Sequence, residues 1–307
     1  MRATYRPFLH RFAVVLAACT FLLLIAGALV TSNEAALSVP DWPLSYGSLT
    51  PPMVGGIRYE HSHRVIAATI GFLTIVLAVL LHRQEKRAWV RRLGVAAVVA
   101  VCLQGLLGGL TVLYFQHYGF PMEHASLAQL FFGAIVGIAL FTSRWWMEGP
   151  ESRLEDCGAP GIHTIALINC GVIFAQVILG AGYRHNTIPV WPHLLGALAV
   201  TGTVTWTGIA LRKGYDAVGP MTRARIILHS IFGAQFLLGF AALGARMATA
   251  RAPQPVPWAV IVTVVHTVTG ALTFASALLI AFLCYRLVKP RSAATAAPRS
   301  SVEATAP

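Results

Sequence analysis

The chain has 307 residues, 56% of them apolar and only 11% charged, with a formal net charge of +12 and a mean hydropathy of +0.68. So apolar a composition excludes a soluble globular domain or a disordered chain, and it points to a polytopic membrane protein. The basic excess is a topological signal and not a nucleic-acid footprint, because most of the 23 Lys and Arg fall in alternate loops.

A spanning helix needs roughly 20 mostly apolar residues. Eight runs qualify: Phe12–Thr31, Val65–Leu81, Leu93–Phe115, Ala125–Thr142, Ile162–Gly182, Val190–Leu211, Ile226–Leu243 and Pro257–Cys284. They are continuous rather than alternating, which favours helices over a barrel. Basic clusters such as Arg83–Arg92 and Arg212–Arg225 share one side, while the other carries Arg58, Arg64, Arg184, Arg246 and Arg251. Both termini are therefore expected in the cytoplasm. The expected fold is all-α, with eight transmembrane helices arranged as two pseudo-symmetric four-helix bundles. Residues 1–11 read as a cytoplasmic N-terminus, 12–146 as the first half, 147–161 as a polar cytoplasmic linker and 162–288 as the second half. Residues 289–307, rich in Ala, Pro, Ser and Thr, read as a disordered tail. The first run lacks a convincing cleavage site and is long for a signal core, and the short N-terminus does not resemble a long transit peptide, which favours a bacterial inner membrane. Cys19, Cys102, Cys157, Cys170 and Cys284 form no close pair and read as small packing residues.

In chain order, the first span leaves through Leu29-Val30-Thr31-Ser32 into a loop holding Pro40-Asp41-Trp42-Pro43-Leu44, expected to be an ordered cap at headgroup level. The second span is introduced by Tyr59-Glu60-His61-Ser62-His63-Arg64. The same device, a histidine opening an apolar run, returns at His124, His193 and His266. Gln104, Gln176 and Gln235, each followed by small residues, suit close helix packing. His63 and His193 lie 130 residues apart, Gln104 and Gln235 131, and His124 and His266 142. Such near-constant offsets indicate a duplicated four-helix unit in parallel repeat.

With this topology the four histidines sit on inward-running helices near the outer face, His266 deepest at about 13 Å into its span. Two facing imidazoles in a bundle hold a haem by both axial positions. A lone intramembrane His is more often a hydrogen-bonding residue; four at repeat-related positions favour ligation. His10, His82, His163 and His117 do not fit, and His61 points about 200° from His63 around the helix. His185 is placed to cap a site from its loop. His229, about a membrane thickness away, is excluded. Glu60 reads either as an acidic residue at a helix N-terminus or as a carboxylate at a haem edge that stabilises positive charge or moves protons. Glu123 reads as interfacial. Arg64 and Arg184 suit either snorkelling or haem propionates.

As a set, the exit of the first span, the Asp41-Trp42-Pro43-Leu44 loop, Glu60-x-x-His63-Arg64, the Gln helices and the four histidines resemble the heme A synthase family over residues 12–287. The resemblance implies a first half that takes heme O as substrate, addressed by His63 and His124, and a second half that keeps heme b between His193 and His266. Glu60 matches the family's acidic position. The implied activity is that of a membrane oxidoreductase taking the C8 methyl of heme O to a formyl group by successive hydroxylation and loss of water. The implied partners are an unidentified electron-transfer protein, heme O synthase, and oxidase subunit I or its assembly factors, with a homo-oligomer left open. Cysteine pairs found in external loops of some members are absent here, so no thiol role carries over. A diheme, quinol-linked electron-transfer cytochrome is the alternative. A transporter fits less well because ionisable residues at mid-membrane are scarce.

Overall fold

The computed structural model describes residues 5–117, 119–150, 152–156 and 158–290. Among them the chain is all-helical: α1 Pro7–Ser32, α2 Ile57–Gln84, α3 Ala88–Leu113, α4 Phe120–Phe141, α5 Arg144–Glu148, α6 Ile162–Arg184, α7 Val190–Tyr215, α8 Gly219–Ala248 and α9 Pro257–Leu287. All but α5 are long and apolar enough to cross a membrane, giving the eight expected spans. The chain is a polytopic membrane protein.

The helices start where the sequence permits a start. A proline occupies the first turn of α1, α4, α8 and α9, where its missing N–H costs nothing and its fixed φ suits a helix. They also outrun the apolar stretches. Helix α2 begins at Ile57, before the apolar run at Val65, so Glu60, His61, His63 and Arg64 are already helical. Within lipid every polar group must find an internal partner. Thr20, Thr74 and Thr207 accordingly donate their hydroxyls to carbonyls one turn back, at 2.7–2.8 Å. Phe72, Leu198, Leu237 and Phe240 face outward, as side chains in contact with lipid do.

Helix α1 packs on α2 and α4, and α3 on both as well; α6 packs on α7 and α9, and α8 on both. Each set has its own buried cluster. Leu9, Leu16, Ile70, Leu77, Leu81, Ile135 and Ile138 belong to the first, and Ile162, Leu211, Met221, Leu228 and Ile280 to the second. Between the sets runs a seam of α1 on α9 and α4 on α6 and α9. It is filled by Ala28, Val260 and Val264, and by Phe132, Ala271 and Ala275.

Among the described residues of the expected linker 147–161, the first two belong to the end of α5 and Leu154 pairs with the end of α9. Helix α5 is capped by Ser143 Oγ, which accepts from Trp146 N at 3.2 Å. Leu154 exchanges backbone hydrogen bonds with Leu287 and Lys289, both at 2.8 Å. Lys289 is therefore tied down, whereas most of the expected disordered tail, 291–307, lies outside the described residues, as does Cys157. The other cysteines carry free thiols; Cys170 and Cys284 pack inside, but Cys102 is exposed on α3 rather than packed.

Candidate functional site

The four histidines come together in two pairs. His63 on α2 and His124 on α4 have ring centroids 6.4 Å apart with planes at 78°. His193 on α7 and His266 on α9 have centroids 6.4 Å apart at 87°. In each bundle the buried apolar cluster occupies the opposite ends of the helices, so both pairs lie where core packing gives way.

Each imidazole faces a glycine on the preceding helix. A Cβ on Gly27, Gly108, Gly180 or Gly239 would stand 3.1, 3.1, 2.9 or 3.4 Å from Cε1 of His63, His124, His193 or His266 respectively. Any side chain there would push the ring away, so the glycines set how far each imidazole can retreat towards its neighbour. Three of these glycines lie four residues after a glutamine, on the same helix face. Gln104 Nε2 donates to the His124 carbonyl and Gln176 Nε2 to the His193 carbonyl, both at 2.9 Å. Gln235 lies against Gly270, one turn past His266. In α1 the corresponding position is Leu23, so His63 has no such glutamine. His124 Nδ1 also lies 3.1 Å from the Gln104 carbonyl, which as its acceptor leaves Nε2 free to face the other ring.

The spacing suits a metal between the rings. A metal–imidazole bond of about 2.0–2.1 Å, plus roughly 1.1 Å from nitrogen to ring centre, puts two trans imidazoles about 6.3 Å apart. His193 and His266 lie against the backbones of Gln176 and Gln235 as His124 does against that of Gln104, while the Nδ1 of His63 is buried without a partner. Among the described residues no three His, Cys, Asp or Glu converge as a metal site. The donor set is two imidazoles per position, which fits a haem iron, whose porphyrin supplies the remaining ligands.

The surroundings of the two pairs differ. Beside the first, the loop 33–56 is clamped down by α2. Arg64 donates from Nη1 to the Asp41 and Leu44 carbonyls at 2.7 and 2.6 Å, and from Nη2 to the Val39 carbonyl at 3.3 Å and to Glu60 at 2.6 Å. Glu60 is 4% exposed and also accepts from Val39 N at 2.9 Å. His61 turns away from the pair to Ser45 Oγ at 2.9 Å. Within the loop, the Gly47 amide foremost, then the Tyr46 amide and the Arg64 charge, hold the Asp41 carboxyl below the usual carboxylate range against a desolvation that outweighs each of them but the Gly47 bond. Trp42 lies over Gly109, whose Cβ would meet its indole at 2.7 Å, directly beside the glycine that faces His124.

Around the second pair, Tyr183 stacks on His193 at 6.5 Å and 18°, and the Arg246 guanidinium sits 4.6 Å from the Tyr183 ring. Arg184 donates to Ser32 Oγ at 3.2 Å, which also accepts from Thr263 at 3.1 Å. Burial, then the charges of Arg184, His124 and Arg246, push His185 down to about 4, so it is neutral at pH 7 and stands within electrostatic reach of the first pair. His229 is elsewhere: its Nδ1 faces the Arg225 carbonyl at 2.8 Å and its ring packs against Gly208. Sequence reasoning missed the opposing glycines, Tyr183 and Arg246; the recurrent Gln-x-x-x-Gly spacing was the available signal for the glycines.

Residues 57–190 match the family model described as cytochrome oxidase assembly protein. That stretch holds Glu60, His63 and His124 and stops short of His193. The chain is similar to the heme A synthase of Alkalihalophilus pseudofirmus, 27% identical over 57% of this chain and 59% of that protein. With the heme A synthase of Symbiobacterium thermophilum it is 30% identical over 66% of this chain and 65% of the relative. With that of Shouchella clausii it is 34% identical over 42% and 44%. The chain thus spans between 44% and 65% of the length of these relatives.

Proposed function

From the premise that this chain belongs to the heme A synthase family, among the cytochrome oxidase assembly proteins, we propose that it is the membrane oxidoreductase that turns heme O into heme A. The observation that carries this reading is the spacing of the two histidine pairs, each suited to one iron porphyrin. His63 and His124 address the substrate haem; His193 and His266 hold a resident heme b. When bound, that haem supplies one-electron transfer.

The chain's own groups do the rest. The C8 methyl of heme O becomes a hydroxymethyl group, then a geminal diol that loses water to leave the formyl group. A substrate iron gripped on both sides has no open position, which favours water adding to an oxidised methyl carbon over oxygen binding at the iron. In that route each hydroxylation releases two protons and two electrons, the electrons leaving one at a time to an external acceptor, the unidentified electron-transfer partner. Glu60, one turn before His63, accepts hydrogen bonds from Arg64 and the Val39 amide. Placed at the edge of the first histidine pair, the Glu60 carboxyl group stabilises positive charge building on the carbon or takes up a released proton. Arg64, engaged with the loop, acts on the substrate through Trp42 and its neighbours as much as through propionates. Arg184 gives one Nη2 donor to Ser32 and keeps others for a propionate.

Co-expression with a heme O supply, followed by extraction and mass analysis of the haems, tests the reading: heme A appears with the intact chain. Glu60→Gln should keep haem bound and lower the yield of heme A by about 10²–10³-fold, the loss typical of one preorganised electrostatic group. Intact haem binding with no heme A from the unaltered chain would leave the diheme electron-transfer cytochrome as the better reading.

A further inference from the structure

At the helix ends opposite the histidines, two neighbouring cavities share Trp89. The first, of about 360 Å³, lies between the α2–α3 turn, α5 and the end of α9, and is lined by Arg87, Arg153 and Arg286 with Trp89 and Trp146. The second, of about 600 Å³, is an apolar groove between α3, α4 and α9, walled by Leu93, Ala96, Leu130, Ala134, Leu278 and Phe282.

The first cavity gathers more positive charge than its carboxylates answer. Arg87 is paired with Glu85 at 2.7 Å. Arg286 donates to the Trp146 carbonyl, but its Nε is buried without a partner, and the charges of Arg153 and Arg87 act on it. Gly149, at φ +70°, has no Cβ to block the Arg286 guanidinium. Arg153 is exposed and makes no ion pair among the described residues. Three guanidiniums facing one space, with Glu85 the one carboxylate paired to them among the described residues, form a site for an anion that brings two or more acceptor oxygens. The groove leads from that space along the membrane. Its wall on α4, from Phe141 to Leu130, runs about 16 Å at 1.5 Å per residue, close to half of the roughly 30 Å hydrocarbon core. An anion site at the interface and an apolar groove one leaflet deep, joined at an indole, fit a single molecule.

We propose that this is a binding site for an anionic phospholipid of the leaflet on the basic side of the bundle. The phosphate sits among Arg87, Arg153 and Arg286, and one acyl chain lies in the groove between α3, α4 and α9. The proposal is independent of the reaction assigned to the histidines.

The test uses the full chain, purified in phosphatidylcholine nanodiscs and titrated with phosphatidylglycerol, with bound lipid counted by native mass spectrometry. Phosphatidylglycerol should be retained in preference to phosphatidylcholine. Arg153→Gln, an exposed change that leaves the groove untouched, should weaken retention about five-fold. Leu93→Trp, which fills the groove without altering charge, should weaken it at least as much. Haem content serves as the check that both variants are folded. Equal retention of the two lipids would overturn the proposal, and so would a Leu93→Trp variant that binds phosphatidylglycerol as the parent does. Inorganic phosphate should leave lipid retention unchanged; full displacement of the lipid by phosphate would mean a soluble-anion site instead.

Discussion

At the scale of single residues, the site is as much a matter of glycines as of histidines. An imidazole fixed on one helix is useful only if the neighbouring backbone comes close enough to stop it drifting, and Gly27, Gly108, Gly180 and Gly239 permit that approach. Gly180→Ala should therefore displace His193 and lower retention of low-spin haem several-fold. Gly202→Ala on α7, where a Cβ would meet nothing within 4 Å, should keep the spectrum and even add up to about 1 kcal/mol of helix stability. His193→Ala and His266→Ala should each abolish the bis-histidine spectrum of the second bundle. His229→Ala should leave haem content near the parent level, since that ring only packs against Gly208. Optical and paramagnetic resonance spectra read the haem outcome of all five variants, and thermal unfolding reads the stability of Gly202→Ala. The histidines were legible in the sequence because an ionisable group at the mouth of an apolar run demands a reason. The glycines were not, because a glycine in a membrane helix signals closeness without saying to what.

At the scale of elements, the spans were readable from their hydropathy, but their ends were not. Helices α2 and α8 extend well beyond their apolar runs because charged side chains at the ends reach interface or loop partners. The turn between α2 and α3 shows the kind of contact that hydropathy cannot reveal. Burial works to raise the Glu85 carboxyl, yet hydrogen bonds from the Arg87 side chain and amide outweigh it and hold the carboxyl below its ordinary value. Arg87 in turn donates to the Phe141 carbonyl at 2.8 Å, tying the turn to the end of α4. A depressed carboxylate contributes stability that is present above its unfolded pKa and lost as pH falls through the folded one. Glu85→Gln should therefore lower stability by about 1–3 kcal/mol at pH 7, with the gap to the parent closing as the pH drops below the carboxylate range; thermal unfolding in detergent at pH 7 and pH 3 measures both. Helix α5 escaped notice because five residues carry too little periodicity, though Ser143 ahead of a Trp-Trp pair was a usable cap.

At the scale of the whole molecule, the repeat offsets anticipated which histidines correspond, and the packing adds how the two sets of spans meet. Their seam is filled at mid-depth by small and aromatic side chains from α1, α4 and α9, and at the histidine end Ser32 joins α1 to α6 and α9 through Arg184 and Thr263. The apolar part of that seam was not visible in the sequence, since packing between apolar helices has no polar signature. Its mechanical consequence is a stiff frame with one soft door. Rocking of one bundle against the other would have to tear that joint, whereas the 33–56 loop hangs on a handful of bonds to Arg64, Glu60 and His61. Amide hydrogen exchange should accordingly run faster in the loop than along α1 and α9, and a bulky guest bound for the first histidine pair should then enter by the unlatching of a strap, not by the swing of a domain.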